Sequence, residues 1–385
     1  MQVCGSWLTA PRTQAVCAML TGAGYRALFV GGCVRNALLG VAVNDLDIAT
    51  DARPETVMQL ATRAGFAAIP TGIDHGTITV VAEHVPHEIT TFRKDVATDG
   101  RRAVVAFSDH VEDDAGRRDF TMNALYAEPD GTLVDPLGGL GDLRARRVRF
   151  IDDAGARIRE DYLRILRFFR FHAWYGDPRA GMDAEALAAI AENLSGLAAL
   201  SRERVGAETI KLLAAADPAP SVAAMRACGA LTALLPGADD RALAPLVHLE
   251  TAAGIGVDPI RRLAALGGED AARRLRLSRK QARLLALLHE QIAGLAGPAE
   301  LGYRLGSETA WSVALLRAAL QAVALDPGLA GDIARGAVAA FPVRSTDLSP
   351  KLSGAALGRE LKRLEKRWIK SGFTLGRAEL LTPEN

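Results

Sequence analysis

The residues best placed to do chemistry are two aspartates one residue apart, in the run Asn44-Asp45-Leu46-Asp47. In an extended strand, residues i and i+2 point to one face, so Asp45 and Asp47 present two carboxylates to a common point while Leu46 and Ile48 turn toward a core. Hard divalent cations such as Mg²⁺ favour such oxygen donors. Two like charges this close repel unless neutralised, and a pair of metal ions neutralises such carboxylates at phosphoryl-transfer centres. Alone, the Asp-x-Asp pattern is common and reads more readily as a solvated turn with two exposed aspartates. Its context is Gly31-Gly32-Cys33-Val34-Arg35 just upstream. Two glycines let backbone N–H groups approach a triphosphate, and a following helix start together with Arg35 adds positive potential.

These residues need elements to hold them. Arg26–Val30 reads as a strand, Gly31-Gly32 as a tight turn, Val34–Leu39 as a helix start and Asp45–Ala49 as a second strand. Pro54 suits the first turn of another helix, and Ile78–Ala82 and His87–Phe92 read as two further strands around the turn-like Glu83–Pro86. Beyond about residue 140, Ala and Leu recur at three- and four-residue spacing, which predicts helices to the end, with boundaries near Ser201 and Asp217-Pro218. The fold class expected is therefore α+β, a small sheet domain followed by an all-helical remainder. At 385 residues the chain exceeds what one hydrophobic core organises.

Composition narrows the function classes. The chain is 49% hydrophobic and 24% charged, which suits a folded protein rather than a disordered one. No run approaches the roughly 20 apolar residues of a membrane span, and the N-terminus lacks a signal-peptide pattern, so a cytoplasmic location is expected. Cys4, Cys17, Cys33 and Cys228 lack paired spacing and read as reduced thiols. A net charge of +1 excludes uniform polyanion binding but conceals a basic stretch, Lys351, Arg359, Lys362, Arg363, Lys366, Arg367 and Lys370, set against Glu360 and Glu365. Leu357, Leu361, Leu364 and Trp368 form an apolar stripe through it, so one helix could pack on one face and contact phosphates on the other.

Gly-Gly-x-x-Arg before Asp-x-Asp resembles the polymerase-β-like nucleotidyltransferases, and specifically the class II tRNA nucleotidyltransferases and bacterial poly(A) polymerases. Further segments carry the likeness. Glu88, in His87-Glu88-Ile89-Thr90-Thr91-Phe92-Arg93, occupies the position of the family's third acidic residue, which ligates metal or helps deprotonate the attacking hydroxyl; by itself it reads equally as an exposed strand-end acid. Arg117-Arg118-Asp119-Phe120-Thr121-Met122-Asn123-Ala124-Leu125 is similar to the family's R-R-D-F-T-x-N-A segment. In a helix Asp119 and Asn123 sit one turn apart, able to meet a ribose, and Arg118 can grip phosphate bidentately. Phe120 and Leu125 are expected in the core. Asp135-Pro136-Leu137-Gly138-Gly139 with Asp142-Leu143 matches a structural turn leaving the catalytic domain.

Arg159-Glu160-Asp161-Tyr162-Leu163-Arg164 is similar to the family's E-D-x-x-R helix, in which Asp161 and Arg164 hold the base-reading positions. Residues three apart on a helix are neighbours, so an Asp acceptor and an Arg donor complement the amino donor and ring-nitrogen acceptor shared by C and A. Without the other motifs they are an ordinary i,i+3 ion pair. Ser201-Arg202-Glu203-Arg204-Val205 and Glu208 resemble the segment that braces this helix. Asn36 departs from the family, which commonly has Asp there, and could alter loop motion.

The resemblance implies a catalytic head at 1–140, a helical neck with base recognition at 141–212, a body at 213–300 and a tRNA-binding tail at 301–385. It implies catalysis by Asp45, Asp47 and Glu88 with two Mg²⁺ on the aspartates. Nucleotide binding falls to Gly31, Gly32, Arg35, Arg118, Asp119, Asn123, Asp161 and Arg164, and RNA contact to Lys362, Arg363 and Lys366. The implied reaction is template-independent addition of C and A from CTP and ATP to a tRNA 3′ end, with release of pyrophosphate. A poly(A) polymerase is the nearest alternative; Asp99-Gly100-Arg101-Arg102 looks more like the tRNA-repairing branch. A noncatalytic RNA-binding protein is a second, set against the intact carboxylates. Some relatives carry a metal phosphohydrolase domain, but no His-Asp pair occurs among the seven histidines, so no phosphatase activity is expected. Nothing in the sequence points to a stable protein partner.

Overall fold

A computed structural model describes residues 1–99, 102–349 and 352–382. Gly100 and Arg101 of the Asp99–Arg102 segment, and Lys351 of the basic run, lie outside the described residues. The chain divides into two compact units, Met1–Leu234 and Leu235–Asn385.

The first unit contains nine strands among the described residues: β1 (Leu28–Val30), β2 (Asp47–Thr50), β3 (Ala67–Gly72), β4 (Thr77–Ala82), β5 (Val85–Thr91), β6 (Arg93–Asp99), β7 (Arg102–Phe107), β8 (Tyr126–Ala127) and β9 (Leu133–Val134). Seven of them form one sheet in the order β3-β4-β5-β2-β1-β8-β9, and β6-β7 is a separate hairpin. The pairing that matters most is β2 with β5. It is parallel and sets Asp47 opposite Glu88, Ile48 opposite Ile89 and Ala49 opposite Thr90. Period-two alternation then sends Ile48 and Ile89, both fully buried, into the interior on one face while Asp47 and Glu88 share the other. A core of Leu28, Val30, Ala49, Phe92, Val111, Ala115, Ala124 and Tyr126 anchors the inner strands.

The expected strands are present with shifted ends. β1 begins at Leu28 rather than Arg26, and β2 begins at Asp47, so Asp45 lies in the loop before it. The ladder still reaches back by one bond, from the Glu88 N–H to the Leu46 carbonyl at 3.2 Å. β3, β6, β7, β8 and β9 went unread; β8 and β9 are too short for a two-residue period to register.

From residue 139 onward every described regular element is helical. The helix Leu163–Tyr175 buries Ile165, Leu166, Phe168, Phe169, Phe171 and His172. Its rings meet those of the preceding segment: Phe120 lies 5.0 Å from both Phe150 and Phe171, and Phe150 stacks on Phe168 at 5.6 Å. Phe120 and Leu125 are fully buried, as expected of core positions.

In the second unit, the helices Pro298–Gln321 and Leu329–Val338 touch through backbone. A Cβ on Gly336 would stand 1.8 Å from the Ala299 carbonyl oxygen, and one on Gly302 would stand 2.3 Å from that of Ile333. Pro298–Gln321 is interrupted at Gly306, whose φ of 77° is open to glycine alone without strain. The helix Gly354–Lys370 buries Leu364 and Trp368 among Tyr303, Phe341, Val343 and Phe373. Each expected domain boundary falls inside a helix: residue 140 in Gly139–Arg144, 212 in Arg202–Leu213 and 300 in Pro298–Gln321. No described helix is long and apolar enough to cross a membrane.

Candidate active site

The site begins with the turn after β1. Gly31 has φ 71° and ψ −118°, outside the range of L side chains, and opens the helix Gly32–Leu38. A Cβ on Gly31 would stand 3.4 Å from Arg118 Nη1, and one on Gly32 3.9 Å from Arg35 Nη2. The two arginines therefore flank the di-glycine turn. Cys33 donates toward the Val30 carbonyl at 3.3 Å, and burial raises its thiol to about 11, so it packs and does not react.

Asp45, Asp47 and Glu88 line one cleft of about 430 Å³ together with Trp7, Arg12, Thr13, Val85 and Pro86. Asp45 and Glu88 are exposed and Asp47 is half-buried. Burial raises the Asp47 carboxyl above its ordinary value, the Glu88 carboxylate pushes the same way, Arg118 opposes them, and Asp45 adds a smaller push upward. The acids thus sense one another, and a cation between them would relieve the repulsion. Among the described residues no three of His, Cys, Asp and Glu close into a preformed metal cage.

Arg118 is anchored from behind. Its Nη2 donates to Asp114 at 3.0 Å and its Nε to the Tyr126 hydroxyl at 3.2 Å. Asp114 is fully buried and also accepts from Arg117 and from Tyr126. Burial pushes its carboxyl up, but Arg118 and Arg117 more than reverse this and hold it at about 2. Asp114 was missed from sequence, although its i,i+3 and i,i+4 spacing to the two arginines was the available signal.

Asp119 and Asn123 require a correction. No helix spans them; only a short 3₁₀ turn, Thr121–Asn123, follows Asp119. Both are buried, at 7% and 6% exposure, and Asn123 Nδ2 donates to Asp119 Oδ1 at 2.8 Å. The other Asp119 oxygen receives Arg167, at 2.7 Å from Nε and 2.5 Å from Nη2. Their polar atoms meet one another and Arg167 in an internal network. Burial would raise the Asp119 carboxyl, yet Arg167 and Asn123 bring it below the ordinary value.

Arg35 is also held in the interior. It is 6% exposed, and its fork donates to Asn123 Oδ1, to Asn36 Oδ1 at 2.9 Å and to the Tyr175 hydroxyl at 2.9 Å. It also lies over the rings of Tyr175 at 4.1 Å and Phe171 at 5.1 Å. Burial lowers its pKa, with Tyr175 and Asp119 offsetting. Arg35 therefore clamps the di-glycine helix to the Leu163–Tyr175 helix.

Asp161 and Arg164 are brought close but do not pair with each other. Asp161 lies between the helices Ala154–Glu160 and Leu163–Tyr175, where its Oδ1 accepts the Leu163 N–H at 3.1 Å, the capping contact a short carboxylate favours. Its Oδ2 receives Arg204 at 2.6 Å. Arg164 donates to Glu160 at 2.5 Å, to the Arg157 carbonyl at 2.9 Å and to the Arg117 carbonyl at 3.0 Å. The last bond sets Arg164 beside the Arg118 segment. Glu208, on the same helix as Arg204, receives Arg170 at 2.6 Å. Asp135 receives the Gly139 and Leu140 N–H groups at 2.8 and 3.0 Å, which makes that motif a helix cap.

In the second unit Lys362, Arg363 and Lys366 are exposed on the face of Gly354–Lys370 opposite Leu364 and Trp368. Arg363 pairs with Glu360 at 2.8 Å.

Comparison with known proteins agrees with this geometry. Residues 27–149 match the family described as "Poly A polymerase head domain", and residues 181–241 match "Probable RNA and SrmB- binding site of polymerase A". The chain is 47% identical over 184 residues to the human "CCA tRNA nucleotidyltransferase 1, mitochondrial", a match spanning 48% of this chain and 42% of the relative. It is 41% identical over 216 residues to the "CCA-adding enzyme" of Geobacillus thermodenitrificans, spanning 56% and 52%. The matches thus span about half the length of these curated relatives. Among solved structures, the Bacillus stearothermophilus CCA-adding enzyme in complex with CTP superposes with a TM-score of 0.69 at 29% identity, covering 94% of this chain and 93% of that one. The di-glycine turn and the paired strands are in place, and the chain is similar over residues 27–149 to the poly(A) polymerase head-domain family and over most of its length to a CCA-adding enzyme.

Proposed function

We propose that this chain adds C and A to the 3′ end of tRNA without a template, taking CTP and ATP and releasing pyrophosphate. The observation that carries the reading is the parallel register of Asp47 with Glu88, which, with Asp45 two residues before the strand, gathers three acids beside a di-glycine turn flanked by Arg118. Asp45 and Asp47 are the residues that would hold two Mg²⁺, which when bound neutralise the triphosphate and the developing charge of the displacement. Glu88 faces the same cleft and is placed to accept the proton of the attacking hydroxyl. Gly31 and Gly32 leave room for the phosphates, and Arg118, fixed by Asp114 and Tyr126, meets them without reorganising.

Asp161 and Arg164 present an acceptor and a donor to the base edge, held by Arg204 and Glu160. Lys362, Arg363 and Lys366 contact the RNA backbone. A cytoplasmic setting belongs to the same proposal.

The test is incorporation into tRNAs ending before each C and before the final A, with CTP alone and with ATP alone. Stepwise C, C and A addition is expected, with Asp47→Ala lowering the rate at least about 10³-fold. Addition of A alone to any RNA end would replace this reading with a poly(A) polymerase.

A further inference from the structure

Arg35 is a buried cation whose hydrogen bonds all go to neutral groups: the side-chain oxygens of Asn36 and Asn123 and the hydroxyl of Tyr175. It is 6% exposed, and its Nε has no hydrogen-bond partner. The carboxylates nearby are committed elsewhere. Asp114 is shared by Arg117 and Arg118, and Asp119 is held by Arg167. Four arginines thus surround two carboxylates around the turn, and the charge without a direct partner is Arg35. Removing a charge from water is costly unless an opposite charge meets it nearby. Ring faces at 4.1 and 5.1 Å lessen that cost but do not cancel the charge.

The neutral group in the decisive place is Asn36. Its Oδ1 accepts from Arg35 Nη2 at 2.9 Å, where an isosteric aspartate would form a direct ion pair. Its Nδ2 donates to the Ala42 carbonyl at 2.9 Å, a bond an aspartate cannot make. The same Arg35 Nη2 lies 3.9 Å from the Cβ position of Gly32, at the turn itself.

We propose that Asn36 leaves Arg35 uncompensated in the free protein, so that the counter-charge is supplied by the phosphates of a bound nucleotide or pyrophosphate. Ligand-free protein is then less stable than the fold could be, and the difference is recovered as phosphate affinity. Asn36 sets the strength of phosphate binding without touching the phosphate. The inference rests on the reading that a triphosphate occupies the di-glycine turn.

The experiment compares wild-type full-length protein with Asn36→Asp and Asn36→Ala. Both variants lose the bond to Ala42, and Asn36→Ala also loses the acceptor for Arg35, so their difference reports the whole interaction of the carboxylate with Arg35, while wild type against Asn36→Asp keeps the acceptor and changes its charge. Unfolding midpoints are measured without ligand and with inorganic pyrophosphate, and KM and kcat for CTP are measured on a trimmed tRNA. Relative to Asn36→Ala, Asn36→Asp is expected to unfold about 2–4 °C higher without ligand. Its pyrophosphate-induced rise is expected to be less than half as large, and its KM for CTP about 10-fold higher with kcat little changed. Coincidence of the two variants in midpoint and in pyrophosphate response overturns the inference, as does a lower midpoint for Asn36→Asp. Wild-type incorporation of C and A alongside that coincidence sinks only this inference. The expected pyrophosphate pattern without incorporation by the wild type sinks only the proposed function.

Discussion

Asp161 shows how a single side chain is fixed by its neighbours. One oxygen caps the helix behind it and the other takes Arg204, so the carboxylate has one orientation. Arg204→Ala is expected to leave the unfolding midpoint within about 2 °C, because the pair is partly solvated, while lowering discrimination of C and A against G and U about 10-fold. Parallel incorporation assays with the four nucleotides check this. Gly31 with Gly32, and Asp45 with Asp47, stand out in the sequence because the members of each pair are within two residues of each other. Tyr175 and Arg167 do not, because the partners they take, Arg35 and Asp119, are remote in sequence and no local period encodes such a contact. The position of Arg35 beside the glycines is visible in the sequence, whereas its aromatic shelter is not.

At the scale of elements, the helix Leu163–Tyr175 carries His172 into the interior, where Nδ1 meets the Ser221 hydroxyl at 2.9 Å. Burial lowers its pKa below the ordinary 6.5, with Gly181 and Asp177 opposing. The unfolded chain therefore binds the proton first as pH falls, and stability is lost from about pH 6.5 downward. His172→Gln is expected to flatten the decline in unfolding midpoint between about pH 7.5 and 5.5; a decline as steep as wild type would assign the loss elsewhere.

The helix pair in the second unit gives a steric prediction. Gly336→Ala forces a methyl against the Ala299 carbonyl and should cost about 1–3 kcal/mol by calorimetry, whereas Gly331→Ala, on the same helix with open space around it, should be neutral or stabilising. Helix periodicity announced these elements, but not which glycines admit a neighbouring backbone. It also placed the expected domain boundaries inside helices, since composition hardly changes where packing does.

Across the whole molecule, a net charge of +1 coexists with a helix whose outward face is basic. Its inward face was legible from the Leu-Trp stripe, and Leu364 and Trp368 are buried as that stripe required. Reversing Lys362, Arg363 and Lys366 to Glu should weaken tRNA binding and reduce the salt dependence of log Kd by about 2–3, with pyrophosphate stabilisation of the protein unchanged. Titration at several salt concentrations decides it, and an unaltered slope would remove the tail from the RNA contact. The sheet order carries a consequence of its own. Parallel neighbours need a crossover, and β2 meets β5 only after the intervening helix, β3 and β4 have taken their places. A growing chain that has emerged only as far as β4 holds both aspartates but has nothing opposite them. The corner where Asp47 meets Glu88 is thus a product of topology completed through β5.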